Sequence, residues 1–204
     1  MTLPIKKSSI NLKKSAAAHL TYKLQAGRVY RRMDLAHLSK SVDRHLNLLL
    51  SIGKLKKLTQ GLYYAPIQSK LGPLPPTDEQ VVKGFLRDNE FLVFSPSSYN
   101  TVGLGTTQLY NSTLVYNHKR HGVFKLGNRQ FHFRVKKHFP LKLTPEFLYV
   151  DLLNNLDELA EDREAVLSQA RTKLFSYNQS LLQKALDNYG NMATSKRVRE
   201  WISG

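Results

Sequence analysis

Three prolines fall within the seven residues Leu71-Gly72-Pro73-Leu74-Pro75-Pro76-Thr77, and they divide the chain. Proline fixes its own φ and lacks a backbone N–H, so a helix cannot run through this stretch and an extended spacer is favoured. The sequence therefore reads as two domains, residues 1–70 and residues 76–204. A total of 204 residues is enough for two small hydrophobic cores.

Charge is distributed unevenly across that division. Residues 1–70 carry 14 Lys+Arg against 2 acids, net +12. Residues 71–145 are net +6, and residues 146–204 are net −2. A chain of net +16 with its charge at one end suits a polyanion there and another task at the other end. A basic surface with no dedicated partner is the alternative. There is no cysteine, which excludes disulfide scaffolds, thiolate zinc sites and cysteine nucleophiles. Near the N-terminus, Lys6, Lys7, Lys13 and Lys14 have no apolar segment beside them, and no stretch has the apolar length of a membrane span. A cytoplasmic protein with no membrane partner is expected.

Hydrophobic spacing predicts a helix from Leu12 to Gln25, stopped by Gly27. The alternating run Arg28-Val29-Tyr30-Arg31-Arg32 reads as a strand. A short helix capped by Asp34 and a third helix from Val42 to Ile52 follow. Lys54 to Leu58, the turn Thr59-Gln60-Gly61 and Leu62-Tyr63-Tyr64 form a hairpin closed by Pro66. This is the order of a winged helix-turn-helix. On a 100° wheel the third helix gathers Val42, Leu46, Leu49 and Leu50 on one side. Lys40, Arg44, Asn47 and Ser51 fall opposite, and Leu48 fits neither side. A helix that reads DNA needs one anchored stripe and one stripe of donors for base edges and phosphates. Lys54, Lys56 and Lys57 of the hairpin would grip phosphate, with Arg28, Arg31 and Arg32 adding to that surface. Ser41 and Gln60 complete the candidate DNA-contacting set. The competing reading is that these are the solvated faces of a small helical domain.

Gly27 to Pro66 resembles the N-terminal winged helix of AbiEi-type antitoxins of bacterial type IV (abortive infection) toxin–antitoxin systems. The likeness rests on Val29-Tyr30, Asp34-Leu35, Val42 and Leu46 to Leu49. Its most specific part is Gly53-Lys54-Leu55-x-x-Leu58-x-x-Gly61-Leu62-Tyr63, ending at Pro66. The resemblance implies a winged helix that binds operator DNA to repress its own operon. It also implies a second domain that counteracts a nucleotidyltransferase toxin, although no neutralising residue can be matched. An enzymatic role and a cofactor are not expected.

Residues 78–204 read as a mixed α+β domain with a small antiparallel sheet and C-terminal helices, so the fold class is α+β. Helices are expected at Asp78 to Arg87, from Thr144-Pro145-Glu146 onward, at Asp162 to Phe175 and at Gln179 to Tyr189. A last short helix ends near Trp201. Phe91 to Phe94, Leu114 to His118, Val123 to Leu126 and Gln130 to Lys136 are candidate strands. In the last of these, Gln130, His132, Arg134 and Lys136 form a basic outer side.

Several fragments fall short of a catalytic pattern. Gly103-Leu104-Gly105-Thr106 lacks the lysine of a phosphate loop and reads as a turn. His118, His121 and His132 have neither cysteines nor acids nearby, so no metal site is expected. Asp157, Glu158, Glu161, Asp162 and Glu164 read as a solvated helix junction, as a surface for a basic partner or, least economically, as nuclease carboxylates. A free-standing winged-helix repressor and an RNA-binding protein are the other readings of the whole chain.

Overall fold

In the computed structural model the described residues are 16–203, and the fold is α+β. Lys6, Lys7, Lys13, Lys14 and the expected helix start at Leu12 lie outside the described residues. Two compact units are present. One comprises residues up to Arg87 with Leu126–Asn128, and the other Asp88–Lys125 with the residues after Asn128.

The first unit follows the expected order: α1 (Ala16–Lys23), β1 (Val29–Arg31), α2 (Arg32–Ala36), α3 (Val42–Ser51), β2 (Lys56–Thr59) and β3 (Leu62–Tyr64). Its antiparallel sheet has the order β1-β3-β2. Gly27, at φ +81°, turns the chain after α1, and its N–H donates to the carbonyl of Ala65. The core is built from Leu20, Leu35, Val42, Leu46, Leu49, Leu55 and Tyr63; it includes three residues of the expected third-helix stripe, and the fourth, Leu50, packs against it partly buried. Leu48, which fitted neither side of the wheel, is half-buried. Asp34 is not the capping residue of α2. It sits at the third position, and its carboxylate accepts from the Arg31 N–H at 2.9 Å.

The proline-rich stretch is a hairpin rather than a spacer, with β4 (Ile67–Ser69) pairing antiparallel to β5 (Gly72–Leu74). Two-stranded, exposed and all edge, it tolerates Pro73 because no further strand needs that missing N–H. Thr77 then caps α4 (Asp78–Leu86) by a reciprocal pair: its hydroxyl accepts from the Gln80 N–H, and the Gln80 side chain accepts from the Thr77 N–H. Expected in the second domain, α4 instead lies on β1. Arg31 donates from Nε to the Gly84 carbonyl at 2.8 Å and from Nη2 to the Phe85 carbonyl, satisfying acceptors at the helix C-terminus. Gly84 permits the close approach, since a Cβ there would lie 2.5 Å from Val29 Cγ1. The two units accordingly divide at Arg87/Asp88, and the sequence-based division at residues 70–76 falls within the first of them.

In the second unit, β6 (Phe91–Phe94), β7 (Thr113–Asn117), β8 (Gly122–Leu126) and β9 (Arg129–Val135) form one sheet of order β6-β7-β9-β8. Within the sheet expected to be antiparallel, β7 and β9 run parallel. Four helices follow: α5 (Pro145–Asn155), α6 (Arg163–Lys173), α7 (Gln179–Tyr189) and α8 (Met192–Ser203). Thr144 caps α5, with its hydroxyl accepting from the Phe147 N–H and proline at the first position, as read from sequence. Every residue from Phe147 to Leu153 is buried, so α5 is enclosed on all sides and not amphipathic. Phe94 meets Tyr99, Tyr116 and Phe147 edge-on, between β6 and α5.

Asp151 lies in that core at 2% exposure. The Tyr99 hydroxyl donates to its Oδ2 at 2.7 Å, and the Tyr116 hydroxyl lies 3.1 and 3.0 Å from its two oxygens. Burial raises the carboxyl above its ordinary range despite these donors. The contribution linked to Asp151 is therefore fully present below pH ~4 and is lost as pH rises through the raised value. Asp151→Asn keeps an oxygen acceptor and cannot ionise, so its stability relative to the parent should be higher at pH 7 than at pH 4. Asp151→Ala leaves the Tyr99 and Tyr116 hydroxyls without their acceptor and should cost about 2–4 kcal/mol. Urea unfolding at both pH values measures each. For the first unit, a fragment ending at Arg87 should melt roughly 5 °C or more above one ending at Pro75, because only the longer one keeps α4 on β1. Equal melting would show that α4 adds nothing there.

Candidate nucleic-acid interface

The turn before α3 determines how that helix is presented. The Ser39 hydroxyl, in a residue only 8% exposed, accepts from the Ser41 N–H at 3.1 Å and lies 2.7 Å from His45 Nδ1. This links the turn to the second turn of α3. With Val42, Leu46 and Leu49 buried, Arg44 and Asn47 of the helix are exposed, as are Lys40 and Ser41 at its start. Among the described residues, neither Lys40 nor Arg44 has a carboxylate partner. Ser51, also exposed, turns its hydroxyl back onto the Leu48 carbonyl.

The wing supplies the neighbouring cations. Lys54, Lys56, Lys57 and Gln60 are exposed, and Lys57 Nζ donates to Gln60 Oε1 at 3.0 Å across the turn. Leu55, Leu58 and Leu62 anchor the hairpin beneath them. Gly61, at φ +71°, closes the turn. Ammonium groups on an anchored hairpin beside an exposed donor face form a surface suited to phosphates and base edges.

The three arginines near β1 are placed differently. Arg31 is occupied by the α4 carbonyls, so its role is to hold α4 rather than to join the exposed surface. Arg32 is exposed but forms a two-pronged pair with Asp43, at 2.6 Å for each contact. Its guanidinium holds the Asp43 carboxyl below the usual carboxylate range. Arg28 donates to Gln25 and lies 5.5 Å from the centre of the Tyr30 ring. The pairing of Val29 with Tyr64 and Arg31 with Leu62 places Arg28 at the end of the sheet away from the Gln60 turn, about 10 Å along the strand. The structure thus brings together Lys40, Ser41, Arg44 and Asn47 on one element and Lys54, Lys56, Lys57 and Gln60 on the next. Ser39, His45 and Asp43 were missed in sequence, because a turn bond and a cross-helix ion pair leave no periodic trace.

The other candidate clusters resolve locally. Glu161 accepts from the N–H groups of Thr107 and Gln108 and from the Tyr110 hydroxyl. Asp162 caps α6, Asp157 and Glu164 pair with Arg163, and Glu158 pairs with Arg134. Gly103 and Gly105 adopt positive φ in a turn. Among the described residues no three metal-binding side chains gather.

No family model and no curated protein matches this chain. Among solved structures, the crystal structure of the RV2827C protein from Mycobacterium tuberculosis is similar in fold, with a TM-score of 0.56 at 11% identity. The match covers 94% of this chain and 76% of that one.

Removing the competitor of Arg32 tests the surface. Asp43→Asn should tighten binding to any duplex and steepen its salt dependence by about one unit, as an added phosphate contact would. Fluorescence anisotropy over a salt series reads this, and unchanged affinity would place Arg32 outside the candidate nucleic-acid interface.

Proposed function

We propose that this protein is a non-enzymatic DNA-binding regulator, an antitoxin of a type IV toxin–antitoxin system. In this reading the winged helix binds operator DNA and represses its own operon, while the second unit counteracts a nucleotidyltransferase toxin. The observation that carries the DNA-binding half is the exposed face of α3, Lys40, Arg44 and Asn47, beside a wing bearing Lys54, Lys56 and Lys57. Arg44 and Asn47 have the side-chain chemistry that reads guanine and adenine edges, whereas the wing lysines are point charges suited to phosphate. The toxin-directed half rests on the resemblance of Gly27 to Pro66 to the antitoxin family. A cytoplasmic location accords with both halves, and no described helix is long and apolar enough to cross a membrane.

Binding to the protein's own upstream promoter, compared with a scrambled duplex over a salt series, is the deciding measurement. Arg44→Ala should reduce preference for the promoter by about 1–3 kcal/mol. Lys57→Ala should weaken both duplexes alike and lower the salt slope by about one unit. Equal binding of the unmodified protein to both duplexes would overturn the operator reading. Tighter binding to single-stranded RNA than to either duplex would favour an RNA-binding role instead.

A further inference from the structure

Between Glu90 and Glu146 the chain has no acidic residue and eight Lys+Arg. This acid-free stretch supplies all four strands of the second unit's sheet, and two of its cations, Arg134 and Lys136, line an open cleft of about 640 Å³. That volume lies in the range of ligand clefts. His132, Arg134 and Lys136 alternate along β9 and its end, so they share one face of the sheet and form the floor. His121, next to the start of β8, adds a fourth nitrogen-bearing side chain.

The face expected to be a basic outer side is therefore partly covered by the C-terminal end of α5. Arg134 donates from Nη1 to Asn155 Oδ1 at 3.0 Å and from Nη2 to Glu158 Oε2 at 2.6 Å. These two bonds hold the guanidinium in place and use the charge of Glu158, the one acid among the described residues that line the cleft. Among the described residues Lys136 forms no salt bridge; its Nζ lies 5.1 Å from the centre of the Tyr116 ring, and its charge favours the ionised form of the buried Asp151. Tyr189 provides an aromatic wall. The cleft thus combines an ammonium, two imidazoles and a fixed guanidinium with an aromatic ring, the combination that takes a phosphate and the base attached to it.

We infer that this cleft is a second anion site, one that takes the phosphate of a nucleotide unit, either free or within a strand. It is carried wholly by the second unit and does not rely on the winged helix. The test uses the full-length protein with ADP as probe, binding being measured by calorimetry. Imidazole NMR signals are assigned with His121→Gln and His132→Gln. ADP should shift the His121 and His132 signals, and Lys136→Gln should weaken ADP binding about tenfold or more. Arg44→Ala should leave ADP binding unchanged, which separates this site from the surface of α3. If Lys136→Gln does not fold, His121→Gln, altered at an exposed position, should still weaken ADP binding. Competition by a six-nucleotide single strand would identify a strand as the source of the phosphate, and lack of competition a free nucleotide. The inference is overturned if neither ADP nor the hexanucleotide moves either imidazole at the highest soluble concentration. It is equally overturned if ADP binding is lost in Arg44→Ala and indifferent to Lys136→Gln.

Discussion

A helix enclosed on every side cannot turn a polar group to water, and α5 carries one in its middle. Asp151 is tolerated because Tyr99 and Tyr116, from the 3-10 turn Pro96–Val102 and from β7, deliver hydroxyls to its two oxygens. Those donors tie the turn, the sheet and the helix to one another at a single point, where apolar packing alone would allow sliding. Further along α5, Asn154 bonds to the Tyr189 carbonyl and accepts from the Asn191 N–H, holding the α7–α8 turn. Tyr149 bonds the Ala170 carbonyl of α6. The position of each later helix is set by a polar residue of α5, and the cleft walls depend on those positions.

In the first unit the same chemistry allocates the positive charge. Of the three arginines around β1, one holds a helix C-terminus, one faces a carboxylate and one lies near a ring. Among the described residues the lysines of the wing have no such engagement with an acid, because the unit has few acids to offer. Net charge therefore overstates the surface available to a polyanion, and the ion-pair and carbonyl contacts determine which cations remain. Arg44 and the wing lysines remain.

Much of the first unit was legible in its sequence. Apolar spacing at Val42, Leu46 and Leu49 located the buried stripe of α3, and the Thr59-Gln60-Gly61 turn located the wing. Both are local signals, set by helix period and by the backbone freedom of one glycine. The proline-rich stretch misled for an equally physical reason. Proline forbids helix but not an isolated two-stranded hairpin, and the assignment of α4 depended on Gly84 and Arg31, which are 53 residues apart. In the second unit, helix starts at Thr144-Pro145 and Asp162 were plain, whereas the parallel pairing of β7 with β9 was not.

By itself, the sequence determined the α+β class, the winged-helix order, the exposed face of α3 and the concentration of positive charge at one end. These follow from residue spacing, turn chemistry and composition, all of which act within a few residues. Tertiary structure alone decided that α4 belongs with the first unit, that Arg31 and Arg32 are engaged, and that the basic face of β9 floors a cleft. Each of these depends on which distant backbone or carboxylate reaches a given side chain, and such contacts leave no mark on local periodicity.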